Sequence, residues 1–169
     1  GRRYRALQGG LVSDKSAIPT RADFPHFSEI QTRWHDNDVY QHVNNVVYYS
    51  FFDTAVNQHL INSGVLDIAN SSAIGLVIET QCRYYSAVSF PDLIVVGIKV
   101  EHLGNSSVRY QTAIFRNDET TASAVGNFVH VYVDRHTNKP VSIPDKVRSV
   151  LVLLQHDIDG YSQSYGSSV

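Results

Sequence analysis

The chain has no methionine and a single cysteine, Cys82, among its 169 residues. One thiol excludes an internal disulfide and suits a reducing compartment. Neither sign of charge is in marked excess: 14 Lys and Arg stand against 16 Asp and Glu, a net charge of −2 with a pI near 6.5. No general attraction to nucleic acid or to an anionic bilayer is therefore expected. No apolar run approaches the roughly 20 residues that span a membrane. The longest, Val147 to Leu154, is interrupted by Arg148 and Ser149. No internal repeat is apparent. Neither HExxH nor CxxC spacing occurs, so no metal site is expected around His35, Asp36, Asp38 and His42.

What is present fits one globular domain. The hydrophobic share is 43%, and the aromatic share of 11% includes ten Tyr, which favours sheet. Residues 1–22 hold Arg2, Arg3, Arg5 and Arg21 with little apolar periodicity, and read as a peripheral basic arm. An Arg-rich, acid-poor leader also fits the remainder of an organelle transit segment. Residues 156–169, with Gly160, Gly166 and several serines, read as a flexible tail. The domain is expected over residues 23–155.

Within it, Phe27 to Trp34 alternates as a first strand, and a polar stretch from His35 to Asn45 follows. Val46 to Asn62 has helical spacing, with Tyr48, Phe52, Ala55, Val56, His59 and Leu60 on one face. Asn44 or Asn45 can cap its start, and Gly64 suits a helix C-terminus that needs positive φ. The apolar early turns predict a helix covered on most sides. Four strand-like runs follow: Ile74 to Ser86, Leu93 to Leu103, Ser106 to Phe115 and Thr121 to Asp134. In the first of these, strict alternation places Ile74, Leu76, Ile78, Cys82 and Tyr84 on one face and Glu79, Gln81 and Arg83 on the other. Short turns at Gly104-Asn105 and Asn117-Asp118-Glu119 require antiparallel neighbours. The expectation is an α+β architecture, an antiparallel sheet of about five strands wrapped around one long central helix.

The segment Arg33-Trp34-His35-Asp36-Asn37-Asp38-Val39-Tyr40-Gln41-His42-Val43-Asn44-Asn45-Val46-Val47-Tyr48 resembles the signature of the 4-hydroxybenzoyl-CoA thioesterase-like hotdog family. Its core, Asp38 to Asn45, is also similar to plant acyl-ACP thioesterases. That branch has Asn where Tyr40 stands, so its Asn-x-His arrangement is incomplete here. Leu103-Gly104-Asn105-Ser106-Ser107 resembles the family's Leu-Gly-x-Ser-Ser turn, and Val131 to Pro144 its closing strand. The likeness runs from about Phe24 to Leu154. Two departures stand out: Gln41 occupies a position that is usually Gly, and Arg83 one that is often Glu.

The resemblance implies a hotdog fold and hydrolysis of an acyl-CoA thioester to acid and CoA, with no cofactor. It implies Asp38 as the catalytic carboxylate, acting as nucleophile or as general base for water. His42 is a candidate orienter or acid/base partner. Free N–H groups where the helix begins, around Asn44 to Val46, would stabilise the charge developing on the carbonyl oxygen, so Asn45 joins the catalytic set. Asn44, Tyr48, Glu79, Ser106, Ser107 and Arg109 are candidate substrate contacts, the last three for CoA phosphates. Asp36 reads as structural, and part of the Tyr48-Tyr49-Phe51-Phe52 cluster as acyl-tunnel lining. An acyl-ACP thioesterase and a non-catalytic acyl-thioester-binding protein are the alternatives. So is an enoyl-thioester hydratase, against which the Asp-x3-His spacing of Asp38 and His42 argues, because hydratases of this fold use Asp-x4-His. Paired sheets imply a homodimer or dimer of dimers, and the location expected is cytoplasmic, with mitochondrial as the alternative.

Overall fold

The structure, a computed structural model, describes residues 18–155. The expected tail and most of the expected basic arm lie outside the described residues. Strands β1 (His26–Gln31), β2 (Ala73–Tyr84), β3 (Leu93–Leu103), β4 (Ser107–Arg116) and β5 (Ala124–Asp134) form one sheet in the order β1-β3-β4-β5-β2. Every neighbouring pair is antiparallel. Helix α1 (Asn45–Asn62) crosses the inner face, and a second helix, α2 (Asp145–Leu153), closes the chain. This is the expected α+β hotdog architecture.

Helix α1 buries Tyr48, Phe51, Phe52, Ala55, Val56 and Leu60. They meet Ile94, Val96 and Ile98 of β3, Val108, Tyr110 and Ile114 of β4, and Ala124, Phe128 and Tyr132 of β5. The approach is close enough to dictate sequence. A Cβ on Gly126 would stand 2.4 Å from Cε2 of Phe52, so glycine is what lets the ring lie flat on β5. At the far end Gly64 has φ +73°, and its N–H donates to the Ile61 carbonyl, as the sequence predicts for the end of this helix. The helix is covered on one side only among the described residues. Val46, Tyr49 and Ile61 remain exposed, contrary to the expectation of cover on most sides.

The expected face assignment in β2 is also overturned. A bulge between Val77 and Glu79 reverses the alternation, leaving Ile78 without a partner on β5. Gly75 and Val77 therefore share the inner face with Thr80, Cys82 and Tyr84, opposite the inward Tyr132, His130, Phe128, Gly126 and Ala124. Ile74 and Leu76 lie on the outer face with Glu79, Gln81 and Arg83. On that outer face Phe24, Val95, Ala113, Phe115, Ala122 and Val125 form a second cluster, over which Ile18 packs. Helix α2 is an element the strand-and-helix reading does not include. Its Val147 and Leu151, with Leu154 at its C-cap, recur at helical spacing and join the main core.

Three histidines are held against their charged forms. His130, 2% exposed between Tyr110 and Phe128, has no partner for either ring nitrogen among the described residues. Burial pulls its pKa down to about 4, against a weaker upward pull from Asp53. His26 of β1 and His59 of α1 stack with ring centroids 3.9 Å apart; burial lowers both, and His59 is lowered further by His26. With folded pKa values below unfolded ones, the unfolded chain binds more protons as pH falls below about 6.5. Stability is complete above that value and lost progressively down to pH 4, where His130 alone accounts for about 3 kcal/mol. Urea midpoints are expected to fall steadily from pH 7 to pH 4.5. The slope should be visibly shallower in His130→Leu; an equal slope in both proteins would remove His130 from the explanation.

Candidate active site

The residues before α1 are arranged by a buried carboxylate. Asp36, 1% exposed, accepts from the Arg33 backbone N–H at 2.7 Å and pairs with the Arg33 guanidinium at 2.9 Å. Its carbonyl accepts the N–H of Asn44. The N–H of Val43 donates to Val88 at 2.7 Å, which pins the end of the loop beneath the β2–β3 connection. Between these anchors the chain makes a tight excursion: Asn37 bridges Val43, and the Asp38 N–H donates to the His42 carbonyl at 2.8 Å. Asp36 is thus structural, as its reading from sequence has it.

The Asp38 carboxylate sits on this excursion. Its Oδ1 accepts from the N–H of Tyr40 at 2.8 Å and of His42 at 3.3 Å, and Oδ2 has no partner among the described residues. To close the turn Gln41 takes φ +64°. That left-handed conformation is the physical reason a glycine is common at this position.

The start of α1 leaves one donor open. Asn44 is the N-cap, its side chain accepting from the Val46 N–H at 3.0 Å, and its carbonyl accepts from Val47. The Asn44 N–H is itself committed to Asp36. Only the Asn45 N–H, in the first helical turn, lacks an acceptor among the described residues, and it carries the positive end of the helix dipole. The Asn45 carbonyl accepts from the Tyr84 hydroxyl at 3.1 Å, fixing the helix end to β2.

Asp38, His42, Asn45 and Tyr48 line one cavity of about 290 Å³, together with Val43, Tyr84, Tyr85, Ser86 and Ala87. Four of the expected site residues are thereby brought together. Tyr48 and Tyr84 meet edge to face at 4.9 Å. Burial, reinforced by Cys82, pushes the Tyr48 hydroxyl up to about 12 and raises Tyr84 as well, so both are neutral donors at neutral pH. The Cys82 thiol is itself pushed up to about 11 by burial, which leaves it a poor nucleophile. A second cavity, of about 270 Å³, lies along the same helix, walled by Tyr49, Phe52, Val77 and Phe128 with Ser50, Asp53 and Thr80.

Other expected contacts lie elsewhere in the chain. Glu79 and Arg109 pair at 3.0 Å across Val129 on the outer face of the sheet. Ser106 lies in the β3–β4 turn and Ser107 opens β4; Arg148 of α2 holds the turn through the carbonyls of Gly104 and Asn105. None of these four lines the Asp38 cavity. Asn44 acts on the site through the helix cap. Tyr85, Ser86 and Ala87 are wall residues the sequence reading does not name, although the Tyr84-Tyr85 doublet at a strand end is a visible signal. Among the described residues no three His, Cys, Asp or Glu side chains converge where they could hold a metal ion.

Comparison with known proteins places these residues in a family. The model of the thioesterase-like superfamily matches residues 32–151. The chain is similar to the crystal structure of the PA5185 protein from Pseudomonas aeruginosa strain PAO1. That match has 51% identity, covers 83% of this chain and 98% of that one, and gives a TM-score of 0.81. A thioesterase from Thermus thermophilus, solved with coenzyme A and zinc, matches at 25% identity over 79% of this chain and 96% of that one, TM-score 0.64. The 1,4-dihydroxy-2-naphthoyl-CoA thioesterase Slr0204 from Synechocystis shares the fold at 14% identity, TM-score 0.69, covering 78% and 98%.

The strained turn at Gln41 makes a prediction. Gln41→Gly is expected to keep or raise the urea midpoint, while Gln41→Val costs about 2 kcal/mol because a β-branched residue resists positive φ. Equal midpoints for the two variants would mean that the turn relaxes and does not hold Asp38 in place.

Proposed function

The chain belongs to the thioesterase-like superfamily, and on that premise we propose that it hydrolyses acyl-CoA thioesters with Asp38 as the catalytic carboxylate. The observation that carries the proposal is the pairing of two unsatisfied groups on one cavity, Asp38 Oδ2 and the Asn45 N–H. A thioester carbonyl placed between them has a base or nucleophile on one side and an oxyanion donor on the other. By the general-base route Asp38 takes a proton from water as its oxygen attacks the carbonyl carbon. The tetrahedral oxyanion is held by Asn45, the C–S bond breaks, and Asp38 returns the proton to the departing thiolate. By the nucleophilic route Asp38 forms a mixed anhydride, expels the thiolate, and water then cleaves the anhydride. Tyr48 supplies a neutral donor in either case, Tyr84 holds the Asn45 carbonyl, and His42 orients the loop or the water. The acyl group is assigned to the adjacent cavity of Tyr49, Phe52, Val77 and Phe128, since successive residues of α1, Tyr48 and Tyr49, wall the two spaces. The coenzyme A carried by the Thermus thermophilus relative supports a CoA-type substrate.

We further propose a homodimer built on β2. Among the described residues that strand pairs with β5 alone, and along its other edge Leu76, Val77 and Ile78 are exposed. A twelve-residue edge strand with an apolar stretch at its centre is a template for self-association. The bare side of α1, with Val46 and Tyr49, offers apolar surface to the same assembly.

Two sets of measurements follow. Thiol release from a panel of short, long and aromatic acyl-CoAs should collapse at least a hundredfold in Asp38→Asn with folding unchanged. Asn45→Pro deletes only the critical N–H at a helix position that tolerates proline, and Asn44 already has the extended ψ of 137° that precedes proline. Its kcat should fall about 100-fold or more relative to Asn45→Ala. Full activity in Asp38→Asn would sink the assignment, and activity on acyl carrier protein thioesters alone would move the donor. In sedimentation the wild type should run at twice the chain mass, and Leu76→Glu with Ile78→Lys should run as a monomer. A dimer that survives both changes would place the interface elsewhere.

A further inference from the structure

A third cavity, of about 410 Å³, lies between the C-terminal end of α1, the loop that follows it and the first turn of α2. It stands at the Ala73 end of β2, whereas the Asp38 cavity is walled by Tyr84 at the other end. Eleven intervals of strand at about 3.3 Å each separate them by roughly 35 Å within the protomer. Leu60, Val65, Leu66 and Val147 give it apolar walls. Its lining carries the carboxylates of Asp67 and Asp145 and the hydroxyls of Ser71 and Ser72, beside backbone donors left without acceptors. Helix α2 has nine residues and no side-chain cap; its N-cap is Pro144, and the Asp145, Lys146 and Val147 N–H groups meet no acceptor among the described residues.

Tyr132, 3% exposed, forms part of the same wall, and no hydrogen-bond partner for its hydroxyl is found among the described residues. The Tyr132 hydroxyl is not one of the sealed, partnerless polar atoms among the described residues, so it opens onto the cavity and can donate to an occupant there. Asp67, also on the wall, is already committed, its carboxylate accepting from the Ala69 and Asn70 backbones and the Asn70 side chain. Asp145 and Lys146 set opposite charges at the exposed rim.

We propose that this cavity binds a monocarboxylate with an apolar body, its carboxylate held by the α2 N-terminus, Lys146 and the Tyr132 hydroxyl, its chain against Leu60, Leu66 and Val147. The pattern of apolar wall with convergent donors recognises an anionic head on a hydrophobic tail, and helix N-terminal N–H groups suit a carboxylate. The inference does not depend on the thioesterase reading, because it concerns binding at residues that reading does not use.

Sodium octanoate titrated into the ¹⁵N-labelled full chain tests it, with 1-octanol as the uncharged comparison. Octanoate should shift the amides of Ala73 and Asp145 to Val147 saturably, and octanol should bind at least tenfold more weakly. Tyr132→Phe should weaken octanoate about fivefold, the effect of one lost hydrogen bond. Leu66→Trp, which fills the cavity from a surface loop, should abolish the shifts while leaving the melting temperature close to wild type. Shifts confined to the Asp38 loop would overturn the proposal. So would equal affinity for octanol, no shifts up to millimolar octanoate, or undiminished binding in both variants.

Discussion

Helix α1 reaches the sheet only because position 126 carries no side chain, and much else follows from that contact. With Gly126 beneath it, the Phe52 ring lies on β5, and Ala55 and Val56 come down among β3 and β4. Burying one such aromatic is worth roughly 2–3 kcal/mol, and an added methyl group at 126 would turn that gain into overpacking. The contact also sets the height of the helix above the sheet. That height decides where the N-terminus of α1 emerges, hence where Asn45 stands relative to Tyr84, whose hydroxyl bonds its carbonyl. A core contact in the middle of the helix thereby places the end that lines the Asp38 cavity.

The segment before the helix is a study in which groups are left over. Asp36, Asn44 and Val43 spend their polar groups on one another, on Arg33 and on Val88, so the backbone there is nearly fully satisfied. What remains is one oxygen of Asp38 and the N–H of Asn45. A site made from unsatisfied groups keeps its shape when empty because its neighbours are all committed. The left-handed Gln41 belongs to the same economy: strain in the turn is tolerated because both flanks are tied down.

The sheet, the long helix and the Asp38 loop were legible in the sequence because each follows from local chemistry. Alternation marked the strands, apolar spacing from Val46 to Asn62 marked the helix, and the Asp-x-Asp and Asn-Asn pattern marked the loop. Asn44 as cap and Gly64 as terminus follow from the same rules. The failures are those of distance and parity. One bulged residue, Ile78, reverses every side chain before it, and no property of Ile78 itself announces that. Strand register also puts Glu79 and Arg109 on the outer face and the Ser106-Ser107 turn beside α2, a placement that adjacency in a linear motif does not reveal. Helix α2 had its signal, Val147, Leu151 and Leu154 after Pro144, but in so short a run an apolar stretch and a helix are hard to tell apart.

The two edges of the sheet are treated differently, and the difference bears on function. Strand β1 is six residues long and sets Ser28, Glu29 and Gln31 along it, a short and polar edge that discourages pairing. Strand β2 is twice as long, with Leu76, Val77 and Ile78 exposed in its middle. The same strand ends in Tyr84, part of the Asp38 cavity, and faces Phe52 and Phe128 across the neighbouring apolar cavity through Val77 and Thr80. An edge needed only for stability could be blunted by charge at little expense. Here charge at Val77 would enter the wall of the space assigned to the acyl group. Keeping that wall apolar keeps the edge adhesive, and in the proposed homodimer a second copy covers it. Assembly and chemistry are then constrained by the same residues, and a substitution that loosens one is expected to disturb the other.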